Sequence, residues 1–201
     1  MTPEGQSIEG QTGRLLLRPL ALADAPQIQE IFPQWEVVRY LRNTVPWPYP
    51  PDGARRYVED VALPAIARGD EWHWTLRLQS NPDRLIGYIA LVKAEGHNRG
   101  FWLGLPWQGQ GLMSEAAAWT TDFWFDNLGF PLLRVPKAAA NLASRRISEK
   151  HGMRLVSTVE QDYVAGRMKS EIWVITAEEW RAWKIARTGG SRGLQAPECA
   201  S

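Results

Sequence analysis

Gly109 and Gly111 stand two apart, and Leu112, Met113 and Ser114 follow them into a run with helical apolar spacing. Lacking a Cβ, such glycines let the backbone turn sharply and approach a ligand closely. The first N–H groups of the helix that follows have no intrahelical partner, and the helix dipole adds partial positive charge there. Those are the requirements of a pyrophosphate site. Ordinary turns use glycines as well, so the pair alone does not decide. Further on, Asn141 and Ser144 lie three apart at the start of a second helical stretch, which puts an amide and a hydroxyl beside another set of free N–H groups. They suit simple capping as well as chemistry. Arg145, Arg146 and Lys150 could reach a phosphate, and a solvated helix face accounts for them equally.

Two nucleotide fingerprints are excluded by the residues present. No Gly-x-x-x-x-Gly-Lys-Ser/Thr occurs, and Gly109-Gln-Gly-Leu-Met-Ser114 lacks the third glycine of the dinucleotide motif. A metal centre is not expected, because the three histidines and one cysteine show no ligand spacing. The single cysteine, Cys199, falls in a Gly/Ser/Pro-rich end and is not a nucleophile held in a pocket. No general base stands out: His73, His97, Glu95 and Glu59 are candidates, each expected to be a surface or structural residue. His151 precedes Gly152 at a helix end, where the dipole favours a cation without any catalytic role.

The elements that must hold these residues can be traced along the chain. Arg14 to Leu20 reads as a first strand. Asp24 is expected to cap a helix to about Gln34, and Asp52 one to about Arg68. Between them lies a stiff loop of Pro46, Trp47, Pro48, Tyr49, Pro50 and Pro51. Trp72 to Gln79 and Leu85 to Lys93 form a hairpin through Ser80-Asn-Pro-Asp83, and Asn98 to Leu105 adds a strand. A helix from Leu112 to Leu128 stops at Gly129; a strand starts at Leu132 and contains Pro136; a short helix spans Asn141 to His151. Leu155 to Val164 pairs with Met168 to Thr176, and a last helix covers about Ala177 to Ala186. Most of the eleven tryptophans, including Trp119, Trp124, Trp180 and Trp183, are expected to fill the core.

The 201 residues are read as one domain, residues 13–187, with a flexible N-terminus at 1–12 and a disordered tail at 188–201. A formal net charge of +1 gives no nucleic-acid or membrane footprint, and neither a secretory signal nor a membrane span is evident. A cytoplasmic protein with a small-molecule or peptide partner is expected.

Gln108, Gly111 and Met113 resemble the Gln/Arg-x-x-Gly-x-Gly/Ala signature of the GNAT acetyltransferases, with Met113 departing at the last small-residue position. Ala140-Asn-Leu-Ala-Ser-Arg-Arg-Ile-Ser-Glu-Lys-His-Gly-Met153 is similar to the Asn-x-x-Ser helix of the same family. With Arg14-Leu-Leu-Leu-Arg-Pro-Leu20 and Pro46-Trp-Pro-Tyr-Pro50, residues 13 to 185 resemble the RimJ/RimL-like branch, whose founding members acetylate α-amino groups of ribosomal proteins. The resemblance implies an α/β (α+β) GNAT fold: a mixed, mostly antiparallel sheet flanked by helices and splayed between its fourth and fifth strands to admit the pantetheine arm.

It also implies an acetyl-CoA cosubstrate with no metal. The backbone of Gln108, Gly109, Gln110, Gly111, Leu112 and Met113 would cradle the pyrophosphate, and Trp102, Leu103, Gly104 and Leu105 would pair with the pantetheine. A backbone N–H near Leu103 or Gly104 would face the thioester oxygen; Asn141 would contact the cofactor arm, and Ser144 would protonate the leaving thiolate. The acceptor is expected to be the α-amino group of a protein or peptide, with the proline loop forming part of its site. In the first rival reading the acceptor is a small amine, walled in by Trp47, Tyr49, Trp72 and Trp74; in the second the chain is a non-catalytic acyl-CoA-binding module. A homodimer is the expected assembly.

Overall fold

The structure is a computed structural model in which residues 8–189 are described. Strands β1 (Gly10–Gln11), β2 (Leu15–Pro19), β3 (Glu71–Leu78), β4 (Asn81–Val92) and β5 (Arg99–Leu103) form one sheet in that order, with every neighbouring pair antiparallel. A second antiparallel sheet has the order β6 (Leu132–Ala138), β8 (Gly166–Thr176), β7 (Arg154–Tyr163).

Both faces of the first sheet are covered, and the sequence shows why. Along β4, Ile89 and Leu91 point to one side and Tyr88 and Ala90 to the other; a bulge opposite Leu76 and Arg77 then shifts the phase, so that Ile86 joins the first group and Leu85 the second, and all are buried. The first side packs on α5 (Leu112–Asp122) through Leu112, Ala116 and Ala117. The second packs on α1 (Ala25–Ile31), α2 (Trp35–Val38) and α3 (Gly53–Arg56) through Ile28, Ile31, Val38 and Ala54. From α3 the chain runs through a π-helical turn, Tyr57–Ala62, into α4 (Leu63–Ala67). Remaining helices are α6 (Leu142–Lys150) and α7 (Ala177–Gly189).

The two sheets meet at one point and then part. Asn98, just before β5, donates its N–H to the Arg134 carbonyl of β6 at 2.8 Å and accepts the Arg134 N–H on its side-chain oxygen, also at 2.8 Å. Its amide nitrogen is anchored to the carbonyls of Val92, 3.2 Å, and Ala94, 2.6 Å. Beyond this pin β5 pairs only with β4 and β6 only with β8, so a cleft opens between β5 and β6. Because β1 precedes them, these two strands are the fourth and fifth of the sequence reading.

Several boundaries differ from the sequence expectation. Gly10 and Gln11, assigned to the flexible N-terminus, pair with Leu17 and Leu16. Asp24 closes a 3-10 turn instead of capping α1 through its side chain; its carboxylate accepts from Ala21 N–H, 2.9 Å, and from Arg77, 2.6 Å. Asp52 pairs with Arg56 at 2.7 Å instead of capping. The hairpin turn is tighter than Ser80–Asp83, since Asn81 already opposes Leu78. The helix of α5 ends in a π-helical turn, Phe123–Asn127, before Gly129 at φ 72°. The four-residue α2 had no counterpart in the sequence reading. Met1–Ser7 and the tail with Cys199 lie outside the described residues.

Candidate active site

The loop from Leu103 to α5 is built as the glycines require. Gly109 and Gly111 adopt φ of 75° and 78°, in the left-handed region that a β-carbon penalises. A Cβ placed on Gly109 would meet nothing within 4 Å, so this turn faces open space at the mouth of a helix. Arg14 braces it from behind, donating to the Gln110 carbonyl at 3.0 Å and to Glu115. Met113, which replaces the expected small residue, turns into the core and is buried.

β5 supplies the cleft's edge, and its hydrogen-bond alternation decides which groups face it. Gly104 donates its N–H to the Ile86 carbonyl at 2.9 Å, and Asn98 accepts from Val92 N–H at 2.9 Å. Residues 98, 100, 102 and 104 are thus spent on β4, which leaves the main chain of Phe101 and Leu103 facing the cleft. Gly104 is therefore corrected as an oxyanion donor, and the main chain of Trp102 as a partner for pantetheine; the Leu103 N–H remains. The Leu103 carbonyl is held by the Gln108 side chain at 2.8 Å. Leu105 has left the strand for the 3-10 turn Leu105–Trp107.

Two cavities occupy the splay. The larger, about 590 Å³, runs from Glu36–Leu41 past Trp102 and Leu103 to Gln108, Gly109, Gly111, Leu112 and Met113, and along α6 to Lys150. The smaller, about 80 Å³, lies deeper, among Arg42, His97, Arg99, Lys137, Gln161 and Tyr163. Asn141 and Ser144 line both. Asn141 does cap α6, its oxygen accepting from Ser144 N–H at 3.1 Å, and the cap holds the main chain of Ser144 at the wall shared by the two cavities. Of the basic residues on that helix, Arg146 and Lys150 line the larger cavity while Arg145 pairs with Glu171 at 2.8 Å.

Lys137 was missed in the sequence. Its ammonium nitrogen lies 2.8 Å from Ser144 Oγ and 5.1 Å from the centre of the Phe101 ring. Burial, reinforced by the Arg99 guanidinium, holds its pKa well below the usual lysine range. Arg99 is itself buried, lowered to about 10 by burial, and donates to Thr121 at 2.8 Å and Ala117 O at 3.1 Å. His97 is lowered to about 4, by burial and then by the nearby Arg42. The field in the small cavity is thus one of cationic and neutral nitrogen groups, with no carboxylate among its described lining residues.

The remaining expected residues divide. Trp72 and Trp74 are corrected: 4% and 0% exposed, they sit in the core on the α5 side, against Trp124 and Phe130 and against Trp119 and Phe123, respectively. On β3 the opposite face, with His73, is the one turned toward α1–α4, so the tryptophans cannot reach the cleft. Tyr49 packs on Phe32, which packs on Trp102, so the proline loop backs the site without lining either cavity. Trp47 packs at a tilt against Trp35 outside both. His73 is buried in a chain of hydrogen bonds, Tyr57 to Tyr88 at 3.0 Å, Tyr88 to His73 at 2.5 Å and His73 to Glu71 at 2.5 Å. Glu59 and Glu95 are exposed, and Glu59 is paired with Arg55.

The open turn, the free edge of β5 and the two cavities fit a long phosphate-bearing thioester carrier. The family model described as "Acetyltransferase (GNAT) domain" matches residues 14–154. The "Probable N-acetyltransferase YjcK" of Bacillus subtilis (strain 168) is 25% identical over 157 residues, 72% of this chain and 82% of that protein. Among solved structures, RimJ of Mycobacterium smegmatis in complex with CoA-disulfide superposes with a TM-score of 0.78 at 16% identity, covering 94% of this chain and 98% of that one. RimL, the ribosomal L7/L12 alpha-N-protein acetyltransferase, in complex with coenzyme A gives 0.71 at 16%, covering 84% and 97%. The ribosomal-protein-S5-alanine acetyltransferase of Vibrio fischeri gives 0.73 at 14%, covering 87% and 99%.

Proposed function

This chain belongs to the GNAT acetyltransferase family, and we propose that the amine it acetylates is the α-amino group of a protein or peptide. The observation that carries this reading is the lining of the smaller cavity, where Ser144 bonds Lys137, His97 shares the wall, and no carboxylate is among the described lining residues. At pH 7.4 an α-amino group with pKa about 7.7 to 8.0 is roughly a quarter neutral, whereas a lysine amine near 10.4 is neutral about once in a thousand. A cavity in which His97 and Lys137 are lowered in basicity and no carboxylate lines the wall suits the former.

Acetyl-CoA supplies an acetyl thioester to this site. Gly109 and Gly111, with the N–H groups opening α5, would hold the pyrophosphate, and Arg146 and Lys150 face the same groove. The Leu103 N–H faces the cleft as the donor for charge developing on the carbonyl oxygen, while Trp102, stacked on Tyr88, walls the other side. Ser144, which lines both cavities, would give a proton to the departing sulfur.

Two further points support a chain terminus over a compact amine. Trp72 and Trp74, the walls a small ligand would need, are in the core. Two structural relatives are named for acetylating ribosomal proteins. Thiol release with acetyl-CoA, measured over short peptides with free N-termini and over polyamines, amino acids and aminoglycosides, tests the reading. Peptides should give the highest kcat/KM, and a small amine that exceeds them would overturn it.

A further inference from the structure

Lys137 is 4% exposed, on a strand face that otherwise carries Leu133 and Val135, exposed 0% and 2%. Taking an ammonium out of water there costs several kcal/mol unless a carboxylate compensates. None does: among the described ion pairs, Lys137 has no acidic partner. Glu171, opposite it on β8, turns its carboxylate to Arg145 at 2.8 Å and to the Trp173 indole at 3.1 Å. The other groups facing Lys137 are cationic or neutral. On β5 and the turn before it they are Arg99 and His97, on α6 Ser144, on β7 Tyr163, whose hydroxyl donates to Ser170 at 2.6 Å, and on the loop after α2 Arg42. Its side-chain hydrogen bond runs to Ser144 Oγ, the hydroxyl at the junction of the two cavities.

We propose that Lys137 is the proton carrier behind Ser144, taking up the proton that the acceptor amine sheds on acylation and returning it through the Ser144 hydroxyl to the coenzyme A sulfur. The geometry supports it because one hydroxyl can touch both the reacting atoms and the Lys137 nitrogen. Burial and the Arg99 charge lower the lysine's basicity, which shifts it toward the free amine that can accept a proton.

The protons balance. As the nitrogen–carbon bond forms, Ser144 Oγ accepts the amine's proton while passing its own to Lys137 Nζ. As the carbon–sulfur bond breaks with its electron pair on sulfur, Ser144 donates to sulfur and Lys137 returns a proton to Ser144. Free amine and hydroxyl are restored, and the products are an amide and a thiol. This deepens the acetyl-transfer reading and rests on it: a base weaker than ordinary lysine can relieve an α-ammonium far more readily than an ε-ammonium.

Lys137 acts through Ser144, so its test needs readouts that a structural role would not move. In ¹³C-lysine-labelled protein without substrate, the Lys137 Cε resonance, assigned by its absence from Lys137→Met, should titrate well below pH 10. The same midpoint should appear as the acidic limb of the kcat/KM pH profile. Lys137→Met should lower kcat by about 10²-fold or more, leave coenzyme A affinity by calorimetry unchanged and abolish that limb. Combined with Ser144→Ala it should cost no more than either change alone, as members of one relay do. A resonance titrating at the ordinary lysine value overturns the proposal, and so does a Lys137→Met enzyme with wild-type kcat and pH profile. If that variant fails to fold, coincidence between the wild-type titration and the acidic limb decides. Wild-type protein that prefers small amines would sink the α-amine reading and leave these results to decide on Lys137.

Discussion

Individual residues carry this site by doing two jobs at once. Asn141 is an ordinary helix cap, and the same hydrogen bond holds the main chain of Ser144, which lines both cavities and bonds Lys137 through its hydroxyl. Gly111 is the last residue before α5 at φ 78°, where a side chain is strained by about 1–3 kcal/mol, and it lines the large cavity. Gly111→Val should therefore weaken coenzyme A binding at least tenfold, about 1.4 kcal/mol, while far-UV circular dichroism keeps its wild-type shape. Calorimetry showing wild-type affinity in a folded variant would move the pyrophosphate elsewhere. The glycines were legible in the sequence because few other residues tolerate that backbone. Lys137 was not: it keeps phase with Leu133 and Val135, but Pro136 interrupts the strand pattern and a lysine reads as solvated.

At the scale of elements, function depends on two sheets that touch once and separate. Asn98 makes that contact, and every hydrogen-bonding atom of its side chain is used on Val92, Ala94 or Arg134. Asn98→Ala would leave buried main-chain groups unpaired, at about 1–3 kcal/mol each. A lowered Tm together with a raised KM for acetyl-CoA is expected, since the cleft's width is set there. A variant that loses stability but keeps that KM would show the pin to be structural alone. Most strands and the long helices were legible from alternation and helical spacing. The four-residue α2 and the two-residue β1 are too short to leave a pattern. Trp72 and Trp74 were misplaced for a different reason: both faces of β3 are buried, so alternation shows a strand without showing which face meets the cleft.

Over the whole molecule, polar groups are buried on both sides of the splay, and this couples stability to pH. His151 is lowered to about 3, by burial and then by Arg99, and bonds Ser114 at 3.1 Å; His97 is lowered to about 4. An unfolded histidine takes a proton near pH 6.5. Below that value the unfolded chain binds more protons than the folded one, so stability is complete above about pH 6.5 and declines as pH falls toward 4. The slope is at most about 1.4 kcal/mol per pH unit for each group. Thermal unfolding should show Tm falling from pH 7 to pH 5, with a shallower slope in His151→Gln; an unchanged Tm over that interval would contradict the burial of neutral imidazoles. Among the described residues no helix is long and apolar enough to cross a membrane, and no group of three or more His, Cys, Asp or Glu could hold a metal ion.

Transfer of acetyl to an α-amine is expected because the small cavity beside Ser144 offers no carboxylate to free a lysine amine. Competition at pH 7.4 between a peptide with a free N-terminus and its N-terminally blocked, lysine-bearing twin, with the acetylated position read by mass spectrometry, decides this. The free α-amino group should take nearly all of the label. Preferential labelling of the lysine would overturn that selectivity and would require a base beyond those lining the small cavity.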